Sequence, residues 1–259
     1  MNNPTKLALI LLACSVLVYF GFDVSSVDQK RAEEIRKKNL LVTGIENIKM
    51  AADARLNASQ KAELQELNLI HQQSTDDSSQ IESLKKITGF WYSQKEFELS
   101  GYHAEEIAKK QKSSEAWSNA GMIYFEGIDQ AQDEKRRLFC YQNAETAFQN
   151  AQSLEPSNPE HELYQALCYV KVPGENPMKG ILMLRDLESK FPEYMPIQIN
   201  LVKLALQTNQ LDRAKSRLIK ILEKKRDLAE ANCLMVEVLS KLGEQDQLSE
   251  YKKFCNLKI

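Results

Sequence analysis

His161-Glu162-Leu163-Tyr164-Gln165 is the stretch of this sequence that comes nearest to a catalytic motif. It stands one residue away from HExxH, in which two imidazoles four positions apart share one helix face and clamp a zinc ion. Gln165 occupies the place of the second imidazole, so the clamp is missing, and the stretch reads as an ordinary helix start after Pro159. His71 and His103, the other histidines, stand far from any partner motif. The cysteines Cys14, Cys140, Cys168, Cys233 and Cys255 form no CxxC pair, and their gaps suit neither a zinc site nor a small disulfide scaffold. Cys168 and Cys233 lie in apolar helical runs, where thiols act as small hydrophobes, so the set reads as structural and reduced. No G-x-S-x-G elbow, P-loop or G-x-G-x-x-G occurs. The expected catalytic, metal-binding and cofactor-binding residues are therefore none, and the chain reads as a non-enzyme without a cofactor.

The elements available to position any site are helices. The 259 residues include only 9 Gly and 7 Pro, with 43% apolar and 27% charged residues, a composition that favours an all-α fold over disorder. The 34 Lys and Arg are outnumbered by 36 Asp and Glu, for a net charge of −2, which lacks the basic excess of a nucleic-acid binder.

Three regions follow from the pattern: a membrane segment over 1–23, a polar helical linker or cap over 24–79, and a helical repeat domain over 80–259. Residues 7–22 are uncharged and follow Lys6. As a helix they span roughly 24 Å, short of the ~30 Å hydrocarbon core, so crossing requires local thinning and snorkelling of Lys6. An uncleaved signal anchor, a lipoprotein signal ending at Cys14, and a cleaved signal all fit the segment. Lys6 and the amino terminus favour an N-in orientation, which places the remainder outside the cytoplasm, in the periplasm of a bacterium. The stretch 74–79, STDDSS, marks the linker boundary.

Beyond it, helical segments come in pairs. Trp117, Ala120, Gly121 and Tyr124 have the spacing W-x2-L-G-x2-Y, and Ala144, Phe148, Ala151 and Pro156 have the spacing A-x3-F-x2-A-x4-P. Together they resemble the 34-residue tetratricopeptide repeat (TPR), with about eleven extra residues between the halves. Further units follow through Ala166, Tyr169, Gly180, Leu184 and Leu187, then Leu201, Ala205, Ala214 and Leu218, then a last one turning at Gly243. A degenerate unit precedes them, through Leu84, Ile87, Trp91 and Ala104. The run 176–187 is similar to one seen in membrane-anchored bacterial TPR proteins.

The resemblance implies a right-handed superhelix of about five stacked helix pairs whose first helices line a concave groove. It places Asn119, Met122 and Phe125 there from one unit, Tyr164 and Leu167 from the next, and Asn200 and Lys203 from the third. Asn119 and Asn200 share the sixth unit position, where an amide can both donate to and accept from a bound main chain. The implied function is a membrane-tethered, non-catalytic scaffold holding a protein or peptide. The alternative is a self-associating structural protein, a homo-oligomer whose groove is filled by its own helices from 40–72. The charged stretch 133–137 reads as the solvated tip of a protruding hairpin, and the basic residues of 213–226 as a solvated face.

Overall fold

The computed structural model describes residues 44–174 and 176–255. The expected membrane segment over residues 7–22, with Cys14, lies outside them. Among the described residues no helix is long and apolar enough to cross a membrane. Contacts divide the chain into two compact units after Ala51, the first represented by residues 44–51 at the start of helix α1, Ile45–Arg55.

The second unit is a serial stack of helices, with no strand among the described residues. Helix α2, Ala58–Gln73, leads into five pairs: α3 and α4 (Asp77–Ser93, Phe97–Gln111), α5 and α6 (Ser114–Gln130, Glu134–Leu154), α7 and α8 (Pro159–Lys171, Lys179–Lys190), α9 and α10 (Met195–Gln207, Leu211–Lys224), and α11 and α12 (Ala229–Leu242, Leu248–Cys255). A 3₁₀ turn, Gln245–Gln247, enters α12. Several helix starts are written locally. Asn57 and Gln60 form a reciprocal capping box on α2, and Asp76, Ser113, Asp133 and Asn158 each accept a backbone N–H at the helix they open. Such caps satisfy amides that no intrahelical carbonyl can reach. Gly243 ends α11 in the left-handed conformation, at φ 78°, where a Cβ would be strained.

Packing explains the small residues of the repeat. A Cβ on Gly121 would lie 2.7 Å from the Phe148 ring, and one on Gly180 would lie 2.5 Å from the Ala166 carbonyl oxygen. These helices approach more closely than any larger residue permits. Ala120, Ala144, Ala147, Ala151, Ala166 and Ala214 are fully buried at similar contacts. The core runs along the chain in steps. One cluster joins Phe97 and Ala104 to Ala120 and Ala147; another joins Leu163, Leu184 and Leu187 to Ile197 and Leu201. A third carries Val202, Leu218 and Ile221 on to Met235, Val238 and Leu248. Each pair thus buries apolar area, at about 25 cal/mol per Å², mainly against its neighbours in sequence.

Two expectations are corrected. Cys233 and Cys255 form a disulfide, with Cα atoms 4.6 Å apart. They sit near the start of α11 and at the end of α12, so the antiparallel hairpin brings together residues that their 22-residue separation leaves apart. Cys140 and Cys168 are buried free thiols, as expected of small hydrophobes. The stretch 133–137 is a solvated tip only in part: Asp133, Glu134 and Lys135 are exposed, but Arg136 turns inward. Its Arg136 is buried and donates to both oxygens of Glu98, at 2.6 and 2.7 Å, and to Glu96 at 2.6 Å. Arg55 also donates to Glu96, at 2.6 Å, which ties the end of α1 to the same cluster.

Candidate functional site

The first helices of successive pairs present side chains that meet across unit boundaries. On α3, the Tyr92 hydroxyl donates to Glu126 of α5 at 2.5 Å. That hydrogen bond, first among its causes, holds the Tyr92 phenol above its ordinary value of 10.0. Phe125 of α5 meets Tyr164 of α7 edge to face at 5.4 Å between ring centroids, and Tyr164 stacks on Phe148 at 5.3 Å. Burial raises the Tyr164 phenol as well. Lys171 of α7 sits 4.0 Å above the Phe125 ring and pairs with Asp129 of α5. Farther along, Lys203 of α9 pairs with Glu230 of α11 at 2.6 Å.

The candidate residues fall into two environments. Asn119, Met122 and Lys203 are exposed; Phe125, Tyr164, Leu167 and Asn200 are half-buried. Phe125 and Tyr164 are in direct contact, whereas Leu167 packs into the cluster of Leu163, Leu184 and Leu187. The Asn200 amide donates to the Pro196 carbonyl of its own helix at 2.9 Å. Of the further apolar positions that the repeat register assigns to this face, Leu163, Ile199 and Leu206 are core residues. The face is therefore aromatic and polar rather than a continuous apolar trough. Sequence reasoning did not single out Tyr92, Glu126, Lys171 or Glu230, although the register that selected Phe125 and Asn119 also assigns these four to the same face.

Among the described residues, the cluster around His161 does not have the arrangement of a catalytic triad. His161 is buried, with Nε2 2.9 Å from the Ser114 Oγ, which in turn donates to Glu155 at 2.8 Å. Serine and carboxylate both lie on the Nε2 side, and Nδ1 has no partner among the described residues. A nucleophilic triad needs its orienting acid on the other nitrogen. Gln165 bonds to Gln152 at 2.8 Å, away from His161. Among the described residues no group of three or more His, Cys, Asp or Glu could hold a metal ion.

Of the helices expected to fill the groove, α2 can be placed. Helix α2 packs on α3, where Gln60 bonds to Gln94 at 2.6 Å and His71 meets Ser83 at 2.8 Å. Among the described residues it makes no extensive packing with α5, α7 or α9. On a different surface, a cleft of about 1110 Å³ opens between α8, α9 and α10, with Leu201, Leu204 and Ile221 among its apolar lining and Arg185, Arg213 and Lys220 among its charges. The basic helix α10 is extensively paired: Arg217 with Glu188, Lys224 with Glu193 and Lys215 with Glu244.

The fold is that of the tetratricopeptide-repeat proteins. The chain matches no protein-family model and no curated protein by sequence. Among solved structures it is similar to a TPR protein from Parabacteroides merdae, with a TM-score of 0.52 and 15% identity over 89% of this chain and 91% of that one. It is similar also to a thermophilic TPR protein of Thermus thermophilus, with a TM-score of 0.51 and 16% identity over 79% of this chain and 98% of that one. At these identities the likeness concerns the fold.

Proposed function

We propose that this protein is a non-catalytic, membrane-tethered scaffold that holds a protein or peptide along the face lined by the first helix of each pair. The observation that carries this reading is the run of contacts along that face: Tyr92 to Glu126, Phe125 to Tyr164 and Lys203 to Glu230 link α3 to α5, α5 to α7 and α9 to α11, and the buried cluster of Leu163, Ile197 and Leu201 joins α7 to α9. Asn119 and Met122 stand exposed along it, one able to bond a main chain and the other to pack against varied side chains. The TPR-like fold supports an interaction role. The uncharged run 7–22 supports tethering, which would raise the effective concentration of membrane-bound clients. The Cys233–Cys255 disulfide supports an oxidising, periplasmic location, because cytosolic thiol pools keep such pairs reduced.

The test is site-specific photocrosslinking in the native membrane. A photoreactive residue at Met122 is expected to give an adduct of defined mass, lost when Asn119→Ala and Tyr164→Ala are added. The same probe at Arg213 on α10 is expected to give none. Equal adducts at both positions would sink the proposal, and an adduct of twice the chain mass at Met122 would favour the self-associating alternative.

A further inference from the structure

The last α-helix of the stack is the shortest among the described residues. Helix α12 has 8 residues, far below the length at which a helix is stable alone in water. Its apolar anchors are Leu248, buried with Met235, Val238 and Leu239, and Tyr251, packed beside them. The ion pair between Arg226 and Glu250 lies in solvent, with side chains 76% and 55% exposed, and holds little. One end of the α11–α12 hairpin is closed by the turn at Gly243. At the other, open end, Cys255 is the last residue of α12 and is joined to Cys233.

The four described cysteines divide by environment. Cys140 and Cys168 are buried, and burial pushes both thiols far above their ordinary value, so they offer no thiolate to compete in exchange. Cys233 and Cys255, by contrast, are each partly exposed. We propose that the Cys233–Cys255 disulfide is a redox lock on the C-terminal helix pair. Oxidised, it fixes the last turn of α12 to the start of α11; reduced, it lets α12 open and uncovers the apolar face of Met235, Val238 and Leu239. This inference is independent of what the first-helix face binds.

The chemistry is thiol–disulfide exchange. A thiolate of a dithiol reductant attacks one sulfur and breaks the bond between Cys233 and Cys255, giving a mixed disulfide. The second thiolate of the reductant resolves it. The two cysteines gain two electrons and two protons as thiols, and the reductant leaves as its own disulfide. Closure is the reverse reaction, with a protein or small-molecule disulfide as oxidant.

Hydrogen exchange on the purified full chain, with and without a phosphine reductant, tests the lock. Reduction is expected to speed exchange of the 248–255 amides more than about tenfold while α5 and α6 keep their protection. Cys233→Ser and Cys255→Ser are expected to exchange fast in both conditions. Alkylation of the denatured, unreduced chain should leave Cys233 and Cys255 unlabelled. Labelling there, unchanged protection of α12 on reduction, or loss of protection throughout the stack would each overturn the proposal. Reduction of the unmutated chain gives the same readout should a serine variant fail to fold.

Discussion

Between α4 and α6 a buried guanidinium is clasped by two carboxylates, Arg136 by Glu96 and Glu98. Between α8 and α10 an arginine plays the corresponding part half in solvent: Arg217 and Glu188 are 30% and 28% exposed, beside an open cleft. The two regions share one repeat pattern, with small residues where the helices of a pair touch. They differ in how pairs are joined. At α4 and α5 the helices pack extensively, while α8 packs only lightly on α9. Contacts within a pair thus follow the repeat, and contacts between pairs follow residues that the repeat leaves free.

That contrast can be broken most sharply at Arg136. Replacing it with Ala strands the buried Glu98 carboxylate and leaves Glu96 to Arg55 alone, and is expected to cost about 3 to 5 kcal/mol in urea unfolding. Adding Glu98→Gln should restore much of the loss, because the uncompensated charge then vanishes. A loss no larger than that of a surface ion pair would erase the distinction between the regions.

Gly180→Ala comes next, at about 1 to 3 kcal/mol, since its Cβ would meet a backbone oxygen that cannot rotate away. Near-native stability in that variant would mean that α7 and α8 can separate freely. Smaller still is Arg217→Ala, expected to cost about 1 kcal/mol or less and to cost less in high salt. A cost equal to that of the Arg136 variant would place the cleft region on the same footing as the buried cluster.

The smallest effect is one of pH. The hydrogen bond from Arg217, the largest cause, holds the Glu188 carboxyl below its ordinary 4.5. A folded value below the unfolded one adds stability that is complete above the unfolded value and fades as pH falls through the folded one. Unfolding midpoints followed from about pH 6 to about pH 3 should therefore drop less steeply in Glu188→Gln than in the parent. Parallel curves would show that this pair contributes nothing to acid sensitivity.

Much of this was legible in residue types. Ser113, Asp133 and Asn158 mark helix starts because a cap is a bond between a side chain and an amide two or three positions away. Gly121 and Gly180 mark close approaches because nothing larger fits. The candidate face was legible in outline through Asn119, Met122, Phe125 and Tyr164. It was less so at Asn200, whose amide turns to the Pro196 carbonyl, and at Leu206, which is part of the core. Which way a side chain turns depends on neighbours supplied by other helices, and no spacing along one helix carries that information.

By itself, then, the sequence determined an all-helical chain, several of its helix starts and the pairing of helices through small residues, because those depend on interactions a few positions apart or on volume alone. Only the tertiary structure decided that Cys233 meets Cys255, that Arg136 is buried between Glu96 and Glu98, and that Arg217 of α10 finds Glu188 of α8. Each of these depends on the angle and offset at which whole helices stack, which is set by the summed packing of many side chains and written in no single motif.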